Sequence, residues 1–339
     1  MRLIRKRAYA RAGLIGNPSD GYFGKTIALT IPQFRAEVSL YEWDQLELVW
    51  SENDQTRFRS IDELVSDVRL HGYYGGIRLV RATIKKFADY CRGRGIRLHD
   101  DNFSVRYESN IPRLVGLAGS SAIIVATLRC LMEFYDVAIP IEVQPSLALA
   151  VETQELGISA GLQDRVAQVH EGVVYMDFAR DRMHEVNGLA CGVYEPLDPA
   201  LLPPLYLAYC AEVSNPTESV HNNLRARFEQ GEPAVIDVME QLAQLTVEAR
   251  EALLAGRTEL LGPMMDRNFD LRRSICRLPA GQVDMVLAAR RVGATAKFAG
   301  SGGAIVGTYA DARMLEELTR DLEAIGCRVI IPQTPNTSK

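Results

Sequence analysis

The sequence predicts an α+β protein built in two lobes. Its predicted strands come in clusters and do not alternate strictly with helices. A long stretch, Pro233 to Arg290, is mostly helical in pattern and contains few glycines. The 339 residues also exceed one ordinary domain, at about 150 residues per domain. No linker marks the division, which we place near residue 190: an N-terminal domain over 1–190 and a C-terminal domain over 191–339.

Alternating apolar positions predict strands over Leu3–Ala10, Thr26–Trp43 and Leu46–Trp50. Gly75 and Gly76 precede a helical pattern that runs to Cys91, with Ile77, Val80, Ile84, Phe87 and Ala88 on one face. Phe103–Glu108 alternates as a strand. An apolar helix follows the segment Pro112–Ala122 and reaches about Tyr135. Helices are expected over Gln144–Leu156 and Gln163–His170, then strands over Val173–Phe178, His184–Leu189 and Leu205–Ala211. Beyond the helical run, a strand from Thr295 meets glycines at 300, 302, 303 and 307. A helix–strand pair closes the chain to Ile331, and Pro332–Lys339 reads as a frayed tail.

Composition removes several function classes. The formal net charge is −5 and the pI is near 5.7, whereas nucleic-acid binders that rely on phosphate contacts carry a basic excess. No run of 18 apolar residues is present, and the basic N-terminus Met1–Gly13 lacks the apolar core of a secretory signal. The expectation is a cytoplasmic protein, monomeric or homodimeric, with no membrane or nucleic-acid partner. Cys91, Cys130, Cys191, Cys210, Cys276 and Cys327 lack metal-ligand spacing and read as reduced core residues.

The strongest local signal is Gly116-Leu117-Ala118-Gly119-Ser120-Ser121 opening a helix. Glycines admit close approach of a ligand to the backbone, and the first-turn N–H groups of a helix are unpaired donors facing the positive end of its dipole. That combination suits phosphate, and a serine hydroxyl there suits a hard cation. Taken alone, the segment equally describes a serine-capped helix after a turn. It matches neither the P-loop nor the dinucleotide-binding spacing. A second glycine cluster, Lys297-Phe298-Ala299-Gly300-Ser301-Gly302-Gly303, and a polar turn, Arg11-Ala12-Gly13-Leu14-Ile15-Gly16-Asn17-Pro18-Ser19-Asp20, suggest a composite site.

In this order the three segments resemble the three motifs of the GHMP small-molecule kinases, and the resemblance runs from about residue 7 to 331. A fourth element strengthens it: Glu152, Gly157, Gly161 and Asp164, spaced like the glutamate, glycines and catalytic aspartate of the galactokinases in that family. The resemblance implies a ribosomal-protein-S5-like N-terminal domain followed by an α+β C-terminal domain. It further implies ATP bound over Gly116, Leu117, Ala118, Gly119, Ser120, Ser121 and Ala122, with Mg²⁺ on Ser121 and Glu152; Ser120 is the second choice for the metal, or a helix cap. Asp164 would accept or orient the proton of the attacking hydroxyl, with Arg11 beside it. Substrate would meet Asn17, Asp20, Asp164, Arg165, Arg273, Gly300, Ser301 and Gly302. Ala118 is an extra residue relative to most members. Lys297 reads equally as a strand residue or an ATP contact, and His71 as structural.

Within the family, the phrases Arg7–Asp20, Ala160–Val169 and Asn268–Arg273 resemble those members that phosphorylate glucuronate at its anomeric hydroxyl. Asn17 and Pro18 stand where galactokinases place glutamate and histidine near the sugar's C6 hydroxyl. A carboxylate 4 Å from such a glutamate would be repelled by ~4 kcal/mol at an effective dielectric of 20, and Asn17 removes that repulsion while offering a donor. Arg113, Arg165, Arg272 and Arg273 are the cations in or beside the motifs. Two alternatives stay open here: a kinase for a neutral sugar or a heptose phosphate, and a non-catalytic sugar- or nucleotide-binding relative.

Overall fold

The computed structural model describes residues 2–49, 76–210 and 224–333. The chain opens with β1 (Leu3–Ile15), a 3₁₀ turn over Ser19–Tyr22, and the 19-residue β2 (Lys25–Trp43), followed by the short β3 (Glu47–Leu48). Helix α1 (Ile77–Gly93), β4 (Asn102–Ser109), α2 (Gly119–Phe134), α3 (Gln144–Ala150) and α4 (Gln163–His170) come next. Then follow β5 (Val173–Asp177), β6 (His184–Val186), β7 (Leu189–Cys191), β8 (Val193–Leu197) and β9 (Leu205–Tyr209). The remainder is α5 (Leu224–Glu229), α6 (Pro233–Leu254), α7 (Leu261–Ile275), α8 (Ala280–Arg291), β10 (Lys297–Phe298), β11 (Ala304–Thr308), α9 (Ala312–Glu323) and β12 (Arg328–Ile330). The fold is α+β, as expected. His71, Gly75, Trp50 and Ala211 lie outside the described residues, as does most of the tail.

Strand β2 is the spine of the larger sheet. Its length lets it pair antiparallel with β1 along most of its course, with β4 over Ala36–Trp43 and with β5 over Lys25–Leu29. The full order is β3-β4-β2-β5-β8, with β1 on β2 off that path. A smaller sheet, β10-β11-β9-β12, is formed by the later strands. Helix α2 lies against β1 and β2, and Ser121–Leu128, Cys130 and Leu131 are buried, which explains its near-continuous apolar sequence. None of the six cysteines is in a disulfide, and all but Cys276 are buried. Among the described residues no helix is long and apolar enough to cross a membrane.

Three local features depart from the expectations. The strand expected over His184–Leu189 is a β6–β7 hairpin, broken at Asn187 and Gly188, whose φ values are +59° and +76°. That is the Asn-Gly signature of a two-residue hairpin turn. The helix expected to run to Leu156 leaves α geometry at Ala150 and widens into a π-type turn over Val151–Glu155. Strand β8 has no counterpart in the sequence reading, since Pro196 breaks its pattern; it closes the edge of the sheet beside β5.

The turn after β1 is clamped by the helices of the second half. The Gly16 N–H donates to Asn268 Oδ1 at 2.7 Å, and Asn268 Nδ2 donates to the Asn17 carbonyl at 3.1 Å. Thr246 on α6 donates to the Lys25 carbonyl at 3.0 Å. Gly16 has φ +91°, and a Cβ there would lie 2.0 Å from the Lys25 carbonyl oxygen. Gly16→Ala should therefore combine backbone strain with a collision against main chain and destabilise by at least ~3 kcal/mol. Gly95→Ala is the control: φ is +68° with open space around the Cβ position, so only the conformational penalty of about 1–2 kcal/mol applies. Chemical denaturation of the two variants checks the difference, and equal losses would refute the clamp.

Candidate active site

Two joined cavities lie where the two halves of the chain meet. The larger, about 690 Å³, is lined by the glycine segment Gly116–Ser120, by Arg78, Arg113 and Asp164, and by apolar walls from Leu79, Tyr107, Ile111 and Ile123. The smaller, about 320 Å³, is lined by Asn17, Asp20, Tyr22, Ser159, Gly161, Arg225, Arg272 and Gly300 among others. Arg11, Asp164 and Ser301 border both. An apolar slot ending on unpaired helix N–H groups suits a nucleotide, and the smaller, polar chamber suits a small hydroxylated substrate.

The glycine segment is shaped by backbone packing. Gly116 (φ +70°) and Ala118 (φ +63°) are left-handed, and Ala118 caps α2 without a side-chain hydrogen bond. The N–H groups of Gly119, Ser120 and Ser121 thus start the helix without carbonyl partners within it. Gln168 supports the turn from beneath, donating to the carbonyls of Ala118 at 2.8 Å and Tyr9 at 3.1 Å. The second glycine cluster abuts the first: a Cβ on Gly300 would lie 2.1 Å from the Gly116 carbonyl oxygen, and one on Gly116 2.8 Å from that of Gly302. Only glycine permits this approach.

Charged side chains gather at the junction. Arg11 Nε donates to Asp164 Oδ1 at 2.7 Å, and its Nη1 donates to the carbonyls of Gly116 at 2.9 Å and Ala299 at 3.0 Å. Arg165, almost wholly buried, forms an ion pair with equally buried Glu152 and donates to the Gly161 carbonyl at 2.8 Å. Desolvation and the nearby Arg11 draw the Arg165 guanidinium down to about 9, against the pull of Asp20. Desolvation and the charge of Asp164 push the Asp20 carboxyl up to about 6, with Arg11 and the Gln163 N–H acting the other way. Gly161 leaves room for it, since a Cβ there would lie 2.3 Å from Asp20 Oδ2.

The geometry sorts the sequence candidates. Arg11, Asn17, Asp20, Asp164, Gly300 and Ser301 line the small cavity. Gly302 does not: it packs against Gly116 and Gln282. Arg273 points outward and Arg272, one residue before it on the helix, lines the cavity and donates to the carbonyls of Gly300 at 2.7 Å and Ser301 at 3.1 Å. Arg165 lies behind the cavity wall, paired as described. Ser121 is buried and donates to the Ala118 carbonyl at 3.2 Å, while it is Ser120 that donates to Glu152 Oε1 at 2.8 Å. Ala122 is buried beneath the loop. The Asn17 amide is likewise turned inward. Its Oδ1 accepts from Lys297 at 2.5 Å and its Nδ2 approaches the Phe298 carbonyl at 3.4 Å.

Lys297 is thereby neither a surface residue nor an ATP contact. It is buried, and also donates to the carbonyls of Gly13 at 2.7 Å and Phe298 at 2.9 Å. Burial, then Arg272 and Arg11, hold its amine well below the usual lysine range. Tyr22 and Arg225 are cavity residues that sequence reasoning passed over, because neither lies within a glycine motif.

Comparison with known proteins gives the family and the fold. Residues 78–172 match the family described as GHMP kinases N terminal domain. The chain is 46% identical over 312 residues to Glucuronokinase 1 of Arabidopsis thaliana, covering 89% of this chain and 84% of that protein. It is 48% identical over 314 residues to Probable glucuronokinase 2 of the same plant, covering 90% and 84%. Among solved structures, Streptococcus pneumoniae phosphomevalonate kinase superposes with a TM-score of 0.75 at 15% identity, over 98% of this chain and all of that one.

The raised Asp20 carboxyl makes a stability prediction. An acid whose folded pKa lies above its unfolded value near 3.8 binds more protons folded than unfolded, so stability is lost as pH rises from about 4 through about 6. Asp20→Asn removes that loss. The variant should gain on wild type by roughly 1–2 kcal/mol more at pH 7 than at pH 4, discounted because the side chain is only half-buried. Urea denaturation at both pH values checks it, and a pH-independent difference would refute it.

Proposed function

The chain belongs to the GHMP kinase family, and on that premise we infer that it transfers the γ-phosphoryl group of ATP to the anomeric hydroxyl of glucuronate, giving glucuronate 1-phosphate. The observation that carries the chemistry is Asp164 at the junction of the two cavities, held by Arg11 at 2.7 Å. The choice of substrate rests on the two glucuronokinase relatives, each matched over most of its length.

In this reading ATP lies in the larger cavity with its phosphates over Gly116–Ser120, against the first-turn N–H groups of α2. The sugar lies in the smaller one. Its anomeric oxygen attacks the γ-phosphorus, forming one P–O bond as the bond to the β-phosphate bridging oxygen breaks and ADP leaves. Asp164 takes or orients the hydroxyl proton. Arg11 fixes the carboxylate's direction, and its positive charge favours the anionic transferring group. Asp20 accepts hydrogen bonds from ring hydroxyls.

The donor set at Ser120 and Glu152 fits a hard divalent cation: a hydroxyl and a carboxylate from separate elements meet at the start of α2. Mg²⁺ keeps waters and phosphate oxygens as its other ligands, so two protein oxygens can suffice. We assign Mg²⁺ to Ser120 and Glu152, in place of the Ser121 and Glu152 pair expected from the sequence. When bound it offsets charge between the β- and γ-phosphates. The nucleotide and metal residues of this scheme, Ser301 aside, fall within 1–190, and the share over 191–339 supplies Arg225, Arg272, Gly300 and Ser301.

The direct test is to incubate the protein with Mg·ATP and glucuronate, galacturonate, galactose, glucose or a heptose phosphate, with products identified by phosphorus NMR. Glucuronate-dependent ADP release with an acid-labile sugar 1-phosphate is expected, and preference for a neutral sugar would overturn the substrate assignment. Asp164→Asn should lower kcat about 100- to 10,000-fold while ATP still binds, as read by calorimetry. Turnover near that of the wild type would remove Asp164 from the mechanism.

A further inference from the structure

We propose that Arg225, on the short helix α5, binds the carboxylate of the sugar acid and so determines the preference for a uronate; this rests on the kinase reading above. In a hexuronate ring the carboxylate is carried on C5, across the ring oxygen from the reacting C1. A chamber that places C1 at Asp164 and prefers a uronate therefore needs a further cation on the sugar's side, away from the phosphates. The small cavity offers one: besides Arg11 and Asp164 at the junction it is lined by Asp20, Gly161, Gly21, Tyr22 and Arg225. A Cβ on Gly161 would lie 2.3 Å from Asp20 Oδ2 and one on Gly21 3.8 Å from Arg225 Nη2, which puts Arg225 beside the Asp20–Tyr22 turn.

The other cations near the cavity are largely engaged by the protein, although the buried Nε atoms of Arg165 and Arg272 have no hydrogen-bond partner. Arg11 serves Asp164 and two carbonyls, and both Nη atoms of Arg272 serve carbonyls of the second glycine loop. Arg165 is held by Glu152, and Lys297 is enclosed by three oxygens. Arg113 lines the nucleotide cavity instead. Arg225 differs. Its guanidinium sits 5.3 Å over the Tyr22 ring, which is itself packed on Phe228 at 5.0 Å between centroids. Its carboxylate neighbour Glu229 is 3.9 Å away in an exposed i,i+4 pair, an arrangement that contributes little and leaves most of the five donors for a ligand. The aromatic platform supports the planar group at the cavity wall without consuming its hydrogen bonds. Asn17, the donor expected from the sequence, is already engaged with Lys297.

The test compares glucuronate with glucuronamide, which keeps the shape and loses the charge. Wild type is expected to prefer glucuronate in kcat/KM. In Arg225→Gln the glucuronate-to-glucuronamide ratio should fall roughly 10- to 100-fold, the worth of a charge-assisted hydrogen bond, through KM for glucuronate more than through kcat. Arg225→Lys should retain part of the ratio, and thermal melts of both variants report folding. A ratio within twofold of wild type in Arg225→Gln, with glucuronate still turned over, overturns the assignment of Arg225 alone. Wild type inactive on glucuronate overturns the kinase reading and this inference together.

Discussion

The guanidinium of Arg11 joins three distant stretches of chain at one point. It reaches Asp164 on α4, the carbonyl of Gly116 in the first glycine loop and that of Ala299 before the second. Its backbone adds a bond from its N–H to the Leu117 carbonyl at 3.2 Å. Hydrogen bonds from a charged donor contribute about 1.5–3 kcal/mol each, and a buried ion pair broken on one side costs about 3–5 kcal/mol. The energy is less important here than the geometry. Arg11 sits on β1, paired along β2, so the position of Asp164 relative to both glycine loops is set by the stiffest part of the larger sheet.

Around that point charges of opposite sign are interleaved. Asp20, Asp164 and Glu152 supply three carboxylates and Arg11 and Arg165 two guanidiniums, all within one mutually interacting group. The balance matters because the proposed reaction brings in several negative phosphate charges. Glu152, neutralised by Arg165, can lie under the phosphates without repelling them strongly, and the carboxyl of Asp20 is pushed up to about 6 by burial and by the charge of Asp164. The π-type turn over Val151–Glu155 carries Glu152 at this buried position; widened turns of this kind recur at functional sites.

Much of this was legible in the sequence, and the misreadings share a cause. Gly116 and Gly300 mark close backbone approaches that no other local signal would produce, and Gln163–His170 was readable as a helix because its apolar period and flanking glycines agree. A motif gives the position of a side chain along the chain, but its direction depends on helical phase, about 100° per residue. So Ser120 and Ser121, or Arg272 and Arg273, are indistinguishable as letters while one of each pair faces the site. The turn at Asn187-Gly188 was legible by its dipeptide, yet the flanking apolar alternation masked it. Arg225 was not legible at all, since its role depends on Tyr22, about two hundred residues earlier, packing beneath it.

The same distinction bears on how a charged sugar is accommodated. The sequence argument gave Asn17 two tasks, removing a like charge and donating a hydrogen bond. The first needs only that residue 17 be neutral, and at ~4 kcal/mol for charges 4 Å apart at a dielectric of 20 it is a large effect. The second requires the amide to face the cavity, and the amide instead accepts from Lys297 and approaches the Phe298 carbonyl. Asn17 therefore permits a carboxylate without binding one, and a permissive site still needs a cation to prefer it. On the proposed reading the preference comes from the guanidinium of Arg225, whose donors remain available where exposure to solvent weakens each interaction but where an arriving carboxylate is the least desolvated. In the proposed scheme catalysis and selection are thus physically separated: Arg11 is buried and fully committed, Arg225 half in water and loosely held.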